Sequence, residues 1–345
     1  MNLYEILHKE ELTKGEIIFL LNLKGKNDQQ ELFDRANEVR SIYCGDEVHL
    51  RGIIEFSNYC EQDCIYCGLR KSNYILSRYR MTPEEIIETA HVISNLGIFT
   101  IVLQSGEDNY YDTDLIAYII YQIKQNTNAA ITLSLGERGF DEYRTWKMAG
   151  ADRYLLKHET ASRKLYSVYH KKQKLEDRLS HLRFLKTIGY QIGSGNMIGL
   201  PMQTIEDMAD DILLCKELDL DMAAFGPFIP SPDTPYQNKK AGDVDLTLRT
   251  MAAARIVLKK VHIPAITALD DDGRIKGLNA GANVVMPDLT PSSYREQYQI
   301  YHDKKCINDN PLNCKGCLQL QIEAIGRKIS NSRGDSLKLT EQAKD

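Results

Sequence analysis

The chain has 345 residues, room for two ordinary domains or for one large α/β barrel. With 43% apolar and 26% charged residues it can bury a sizeable core, which excludes a disordered segment. Its 43 Lys+Arg against 48 Asp+Glu leave a net charge of −5 with no basic stripe, which argues against a nucleic-acid binder, and no apolar run approaches the ~18 residues of a membrane span.

Residues 1–48 have helical periodicity: Leu3, Ile6 and Leu7, then Ile17, Ile18 and Leu21, then Leu32, Ala36 and Val39 recur at spacings near three and four. The opening stretch is acidic and lacks a small-residue cleavage site, so it reads as an amphipathic helix rather than a signal peptide. The expected compartment is the cytoplasm, where thiols stay reduced, so the eight cysteines need a role other than disulfides.

From His49 onward, short apolar runs alternate with longer amphipathic stretches. Strands are expected at 49–56, 99–104, 130–135, 152–157, 190–197, 221–228, 262–268 and 283–286. Between them stand helix-start signals, namely Thr82-Pro83-Glu84-Glu85 and Thr204 with Asp207 and Asp210. Eight strand–helix pairs predict an α/β fold, a parallel (β/α)8 barrel of TIM type over residues 49–290. An N-terminal helical cap (1–48) and a C-terminal extension (291–345) would flank it, the last twenty residues being polar and frayed. A doubly wound open sheet competes, because counting strands cannot show closure. In a parallel barrel the chemistry gathers at the C-terminal strand ends.

One such end carries Cys60-Glu-Gln-Asp-Cys64-Ile-Tyr-Cys67. Three thiolates within eight residues can hold three irons of a cubane and leave the fourth without a protein ligand. Zinc is the competing reading, but a structural zinc site wants four ligands, and a fourth could come only from a distance, from His49 or His91. A second group, Cys306, Cys314 and Cys317, lies beyond the last strand with C-x7-C-x2-C spacing.

The CxxxCxxC spacing, the aromatic before its last Cys and its place after the first strand match the signature of the radical S-adenosylmethionine (SAM) superfamily. The segments GDEVHLRGIIEFSNYCEQDCIYCGLR, RYRMTPEEI, TIVLQSGED, ITLSLGE, AGADRYLLKHET, GLPMQTIEDMADDI, GPFIPSPDTP and GANVVMP together resemble the HydE family of [FeFe]-hydrogenase maturases over about residues 40–330. Methylornithine synthase and biotin synthase are related families. The resemblance implies a [4Fe–4S] cluster on Cys60, Cys64 and Cys67 whose open iron chelates SAM. One electron then breaks the sulfonium C–S bond, and the 5′-deoxyadenosyl radical attacks a substrate held in the barrel. It also implies an auxiliary iron–sulfur cluster on Cys306, Cys314 and Cys317, an electron donor of flavodoxin or ferredoxin type, and work alongside other hydrogenase maturases.

By the same resemblance, Tyr66, Gln104, Ser105, Glu107, Glu159, Arg178, Met197, Pro227 and Tyr298 would surround SAM. Thr132, Ser134, Arg153, Lys157, Thr267 and Tyr301 would face the substrate. A charge at a strand end can equally be a satisfied rim charge. Two departures bear on the substrate: Lys157 stands where family members often carry Arg, and Ile266-Thr267 where they often carry two threonines. The substrate expected is an organometallic iron–cysteine–carbonyl–cyanide precursor or another small molecule. The alternatives are a mutase or sulfur-inserting enzyme acting on a small amino or carboxylic acid, and a non-enzymatic iron–sulfur carrier or scaffold. Cys215, on the apolar side of a helix, is expected in the core. Cys44 has no partner at ligand spacing, and Lys239-Lys240 reads as a solvated pair.

Overall fold

The computed structural model describes residues 2–265, 273–301 and 314–339. Thr267 and Cys306 lie outside the described residues. Three N-terminal helices come first: α1 (Leu3–Leu7), α2 (Lys14–Leu21) and α3 (Lys26–Cys44). Strands β1 (Glu47–Leu50) and β2 (Gly52–Ser57) follow, so the first expected strand is present but interrupted at Arg51. Then α4 (Pro83–Asn95), β3 (Thr100–Ser105), α5 (Thr113–Asn126), β4 (Ala130–Ser134), α6 (Phe140–Ala149) and β5 (Arg153–Leu155) alternate. Helices α7 (Arg163–Tyr169) and α8 (Leu175–Thr187) precede β6 (Gln191–Ile198), α9 (Ile205–Glu217), β7 (Met222–Pro227) and α10 (Val244–Leu258). The chain continues through β8 (Pro264–Ala265), α11 (Gly273–Asn279), β9 (Val284–Val285), α12 (Ser292–Arg295), α13 (Cys314–Ala324) and β10 (Lys328–Ile329).

The expected helix starts are present. Thr82 and Glu85 form a reciprocal capping box with Pro83 in the first turn of α4, and Thr204 with Asp207 does the same for α9.

Six strands pair in the order β2-β3-β4-β5-β6-β7, and four in the order β10-β1-β9-β8, all in parallel. Two junctions join these sets. Met222 bridges His262, and Ile53 bridges Asp288 with Ile53 N–H donating to Pro287 O at 2.9 Å and Leu289 N–H to Ile53 O at 2.9 Å. The strands therefore close into a barrel, which the open sheet would not do.

Side-chain alternation then sorts the staves. Ile54, Phe56, Ile101, Leu103, Ile131, Leu133, Tyr154 and Leu156 point outward into the core shared with the helices. Glu55, Gln104, Thr132, Ser134, Arg153 and Lys157 take the intervening, inward positions. The core is continuous, reaching from Ile6, Ile17 and Leu32 through the strands to Leu318 and Ile322.

The chain's end returns to the barrel base. β10 pairs with β1, and Arg333 O accepts from Thr100 Oγ1 at 2.7 Å. Among the described residues no helix is long and apolar enough to cross a membrane.

Candidate active site

The loop after β2 brings Cys60, Cys64 and Cys67 to the C-terminal mouth. Asn58 anchors its two ends, donating to Ser77 O and Gln297 O at 2.8 Å each and accepting from Tyr79 N–H at 2.8 Å. Arg78 stitches the loop to itself, donating to Leu69 O (2.9 Å), Arg70 O (2.7 Å), Asn73 O (3.1 Å) and Asn58 O. Gly106, just past β3, lets this loop close down: a Cβ there would lie 2.2 Å from Tyr59 O.

The three thiols are held together in an unfavourable neutral setting. Burial pushes all three up, Cys67 to about 12, and they repel one another as thiolates. Among the described residues no three His, Cys, Asp or Glu side chains converge tightly enough to hold one metal ion. A lone Zn2+, with Zn–S bonds of ~2.3 Å, needs its sulfurs within about 4 Å of each other, whereas thiolates around a cube of irons stand wider. The donor set thus fits a [4Fe–4S] cluster, whose positive irons would relieve the repulsion. His49 supplies no fourth ligand. It lies in β1, its ring edge-on to His262 at 5.0 Å.

A network of polar side chains ties the loop to three strand tips. Glu107 accepts from Gln62 Nε2 at 2.6 Å and from Glu137 N–H at 3.1 Å. Gly136, at φ +73°, makes this possible, since a Cβ there would sit 2.0 Å from Glu107 Cγ. Burial pushes the Glu107 carboxyl up, against the pull of Arg178. Arg178 on α8 donates to Glu137 Oε1 at 2.5 Å and to Lys157 O at 3.1 Å. It is buried, yet the surrounding Tyr166, Glu137 and Glu107 outweigh desolvation and keep it cationic.

Glu159 stands at the tip beyond β5 with a left-handed backbone (φ 62°), and its Oε2 is buried with no partner. A non-glycine residue held at positive φ with an orphaned carboxylate oxygen marks a site built for a ligand rather than for the fold. Behind it His158 faces away from the barrel axis, with Nδ1 2.9 Å from Ser194 Oγ. Asp211 accepts from Ala161 N–H and Asn196 Nδ2, both at 2.5 Å.

Most of the remaining positions gather toward the same mouth, with Thr132 deeper, in register with Arg153. Tyr66 and Met197 pack against an apolar cluster of Ile65, Leu165, Tyr169, Leu200, Phe228 and Tyr236, with Pro227 buried next in sequence to Phe228. These aromatic and apolar side chains have the chemistry that suits a flat adenine ring. Tyr298 is buried and its phenol contacts Gln104, while Ser105 Oγ donates to Gly106 O at 2.7 Å. Thr132 Oγ1 is buried without a partner, and Ser134 and Tyr301 are half-buried. The Lys157 ammonium is half-buried and has no hydrogen-bond or ion-pair partner among the described residues.

One expectation is corrected. Arg153 does not face the substrate. Its guanidinium is wholly buried at the barrel base, donating to Gln191 Oε1 (3.0 Å), Thr100 Oγ1 (3.0 Å), Arg333 O (2.8 Å) and Asp335 Oδ1 (2.7 Å). Alternation puts it on the same inner face as Lys157, but it opens β5 and so lies at the strand's N-terminal end. In the second cysteine group, Cys314 opens α13 and Cys317, one turn on, is exposed. Cys215 is fully buried, as expected of a core thiol.

His170 is the site residue that pattern reading misses. Its Nδ1 lies 3.3 Å from Cys64 Sγ and 3.3 Å from Gln173 Oε1, and its Nε2 lies 3.1 Å from the Tyr66 hydroxyl. Burial, then Arg178, lowers its pKa to about 3, so the ring is neutral. The network fits the tautomer in which Nδ1–H donates and Nε2 accepts. No spacing flags this histidine, since it is 106 residues from Cys64.

The chain matches the model of the radical SAM superfamily over residues 54–215. It is 48% identical to the [FeFe] hydrogenase maturase subunit HydE of Thermotoga maritima over 333 residues, covering 96% of this chain and 95% of that protein. It is 31% identical to 3-methylornithine synthase of Methanosarcina acetivorans, covering 85% and 84% of the two chains. The crystal structure of methylornithine synthase (PylB) superposes with a TM-score of 0.86 at 27% identity, covering 99% of both chains. The chain is therefore a radical SAM enzyme, a member of the superfamily that uses a [4Fe–4S] cluster and S-adenosylmethionine, and it belongs within it to the HydE family.

Proposed function

We propose that this enzyme matures the active-site cluster of an [FeFe]-hydrogenase, acting on a small iron–cysteine complex bearing carbonyl and cyanide ligands made by a second maturase. The observation that carries this reading is the 48% identity to HydE along nearly the whole chain. When bound, the cluster supplies the electron that splits SAM into methionine and a 5′-deoxyadenosyl radical. The protein's own residues hold and orient. Cys60, Cys64 and Cys67 ligate the cluster, and Tyr66 with Met197 receives the adenine. Glu159 offers its unpartnered carboxylate oxygen to the ribose hydroxyls or the methionyl amine, Glu107 lies near that amine, and Arg178 fixes the acidic rim. Gln104, Ser105, Pro227 and Tyr298 complete the walls.

Lys157 is the substrate anchor in this reading. A half-buried ammonium without a protein partner suits the carboxylate of a cysteine-bearing complex. Lys is a compact rotatable charge where Arg would be a planar fork, so it holds that carboxylate with its own geometry. The orphaned Thr132 hydroxyl, Ser134 and Tyr301 line the approach, with Thr267 as a further contact. Cys306, Cys314 and Cys317 hold an auxiliary iron–sulfur cluster, and a flavodoxin- or ferredoxin-type protein delivers the electron.

The test is to reconstitute the protein anaerobically and measure 5′-deoxyadenosine formation with a synthetic iron–cysteine–carbonyl–cyanide complex and with free α-amino acids. Stimulation by the complex is expected. Stimulation by an amino acid alone would assign the mutase chemistry of the methylornithine synthase relatives instead.

A further inference from the structure

The cluster site needs an electron from outside, and the surface over Cys64 carries a group of exposed lysines. Cys64 Sγ touches His170 Nδ1 at 3.3 Å, and Ile65 N–H donates to Tyr169 O at 3.2 Å, so the cysteine loop lies directly against the C-terminal end of α7. His170 is itself buried, but the chain turns outward at once. Lys171, Lys172 and Lys174 are exposed, as is Lys164 about two turns earlier in α7, and none of the four forms an ion pair with a described residue. The nearest acids are largely engaged: Glu176 pairs with Arg163 (2.5 Å), Asp63 with Arg70 (2.7 Å) and Glu61 with Lys71 (2.6 Å). This positive apron belongs to a chain whose net charge is −5.

The cysteine loop adds a second, independent feature. Tyr74 and Ile75, on the same loop, are 88% and 78% exposed. Lys71 N–H to Gln62 O (2.7 Å) and Ser72 Oγ to Asp63 (3.0 Å) fasten this segment to the stretch carrying Cys64. Large exposed side chains on the cysteine loop, together with unpaired lysines on the turn packed against that loop, have the make-up of a protein–protein contact: apolar groups for contact and charge for steering.

We propose that the face formed by the cysteine loop and the turn between α7 and α8 is the docking surface for an acidic, low-potential one-electron carrier protein, and that the electron crosses through the His170–Cys64 contact. The proposal rests on the assignment of a [4Fe–4S] cluster to Cys60, Cys64 and Cys67. The carrier loses one electron and the cluster gains it, with no atom transferred. Electron transfer falls steeply with distance, and here one imidazole separates the lysine-bearing surface from a cluster sulfur. An acidic carrier fits better than a nucleic acid, because the apron is short, sits on the cluster and belongs to an acidic chain.

The test uses the reconstituted holoprotein and a reduced acidic flavodoxin as probe, with the variant K171E/K172E/K174E. Cluster bleaching and the EPR signal of the reduced cluster are followed after mixing, with dithionite as a small-molecule control. Reduction by flavodoxin is expected to slow at least tenfold in the variant and to lose its dependence on salt, while reduction by dithionite is unchanged. Replacing Tyr74 by Ser should weaken flavodoxin binding severalfold in fluorescence anisotropy. His170→Leu should retain flavodoxin affinity, slow cluster reduction and shift the cluster's midpoint potential. An unchanged flavodoxin rate in the lysine variant, an equal slowing with dithionite, or tighter binding of a DNA oligonucleotide than of flavodoxin would each overturn the proposal. Absence of a [4Fe–4S] signal in the reconstituted wild-type protein would instead overturn the cluster assignment on which it rests.

Discussion

Arg153 and Lys157 sit four residues apart on one inward-facing register, about 13 Å along a strand direction, and they meet opposite surroundings. At the base, Arg153 commits its guanidinium to Thr100, Gln191, Arg333 O and Asp335, all supplied by the protein. The chain's own C-terminal segment, residues 333–336, plugs that end, with Ser336 N–H donating to Gln191 Oε1 at 2.8 Å. At the mouth, Lys157 has no partner among the described residues, Glu159 Oε2 is orphaned, and three half-buried thiols share one loop. Both ends bury charge. At the base the counter-charge of Arg153 is built in as Asp335 and the gain is closure. At the mouth they are withheld, so an incoming cluster, cofactor or substrate supplies them.

The sharpest break in this comparison comes from the thiols. Replacing Cys60, Cys64 and Cys67 together by Ala should abolish SAM cleavage while far-UV circular dichroism and the melting temperature stay near wild type, because hydrogen bonds from Asn58 and Arg78, not the thiols, hold the loop in place. Continued 5′-deoxyadenosine production by the triple variant would refute the assignment.

Next come the two cations. Arg153→Ala strands Asp335 and empties a fully buried site, so stability should fall by on the order of 3 kcal/mol, read as a lower urea midpoint. Lys157→Ala should change stability by no more than about 0.5 kcal/mol, yet weaken substrate binding at least about tenfold with SAM affinity intact. If Lys157→Ala unfolds the protein and Arg153→Ala does not, base and mouth have been assigned the wrong way round.

A smaller effect is expected beyond the barrel. Changing Cys306, Cys314 and Cys317 together should lower iron content and spare SAM cleavage, as measured by iron assay and product formation. Total loss of cleavage in a folded variant would give these cysteines a role in the central chemistry.

The smallest effect concerns pH. Burial opposes ionisation of Asp335, but its hydrogen bond from Gln191 and the charges of Arg153 and Arg333 outweigh it and hold the carboxyl below its ordinary value. A depressed folded-state pKa gives stability that is present above the unfolded value of about 3.9 and is lost as pH falls through the folded value. Urea midpoints should therefore drop on the acid side of about pH 4, and Asp335→Asn should flatten that drop. An acid limb unchanged in Asp335→Asn would show that the plug is not held by this charge.

How much of this was legible in the sequence follows from what each feature depends on. The strand–helix alternation, the capping boxes at Thr82 and Thr204, and the CxxxCxxC loop after the first strand are all set by neighbours within a few residues. Period and spacing reveal them directly. Alternation also put Tyr154 and Leu156 on the outer side, where they join the core shared with the helices. It could not tell which end of the barrel an inward residue reaches. That depends on where each strand begins against its neighbours, as in the register Thr132↔Arg153 and Arg153↔Gln191, and Arg153 was misplaced for that reason. Closure itself hangs on the junctions Met222–His262 and Ile53–Asp288, the second between residues more than two hundred positions apart. The His170–Cys64 contact, the Arg178–Glu137 pair and the C-terminal plug are of the same kind. Each joins segments that share no local pattern, and the curvature of a closed sheet brings them together, because strand tips distant in sequence converge on one rim only when the ring is complete.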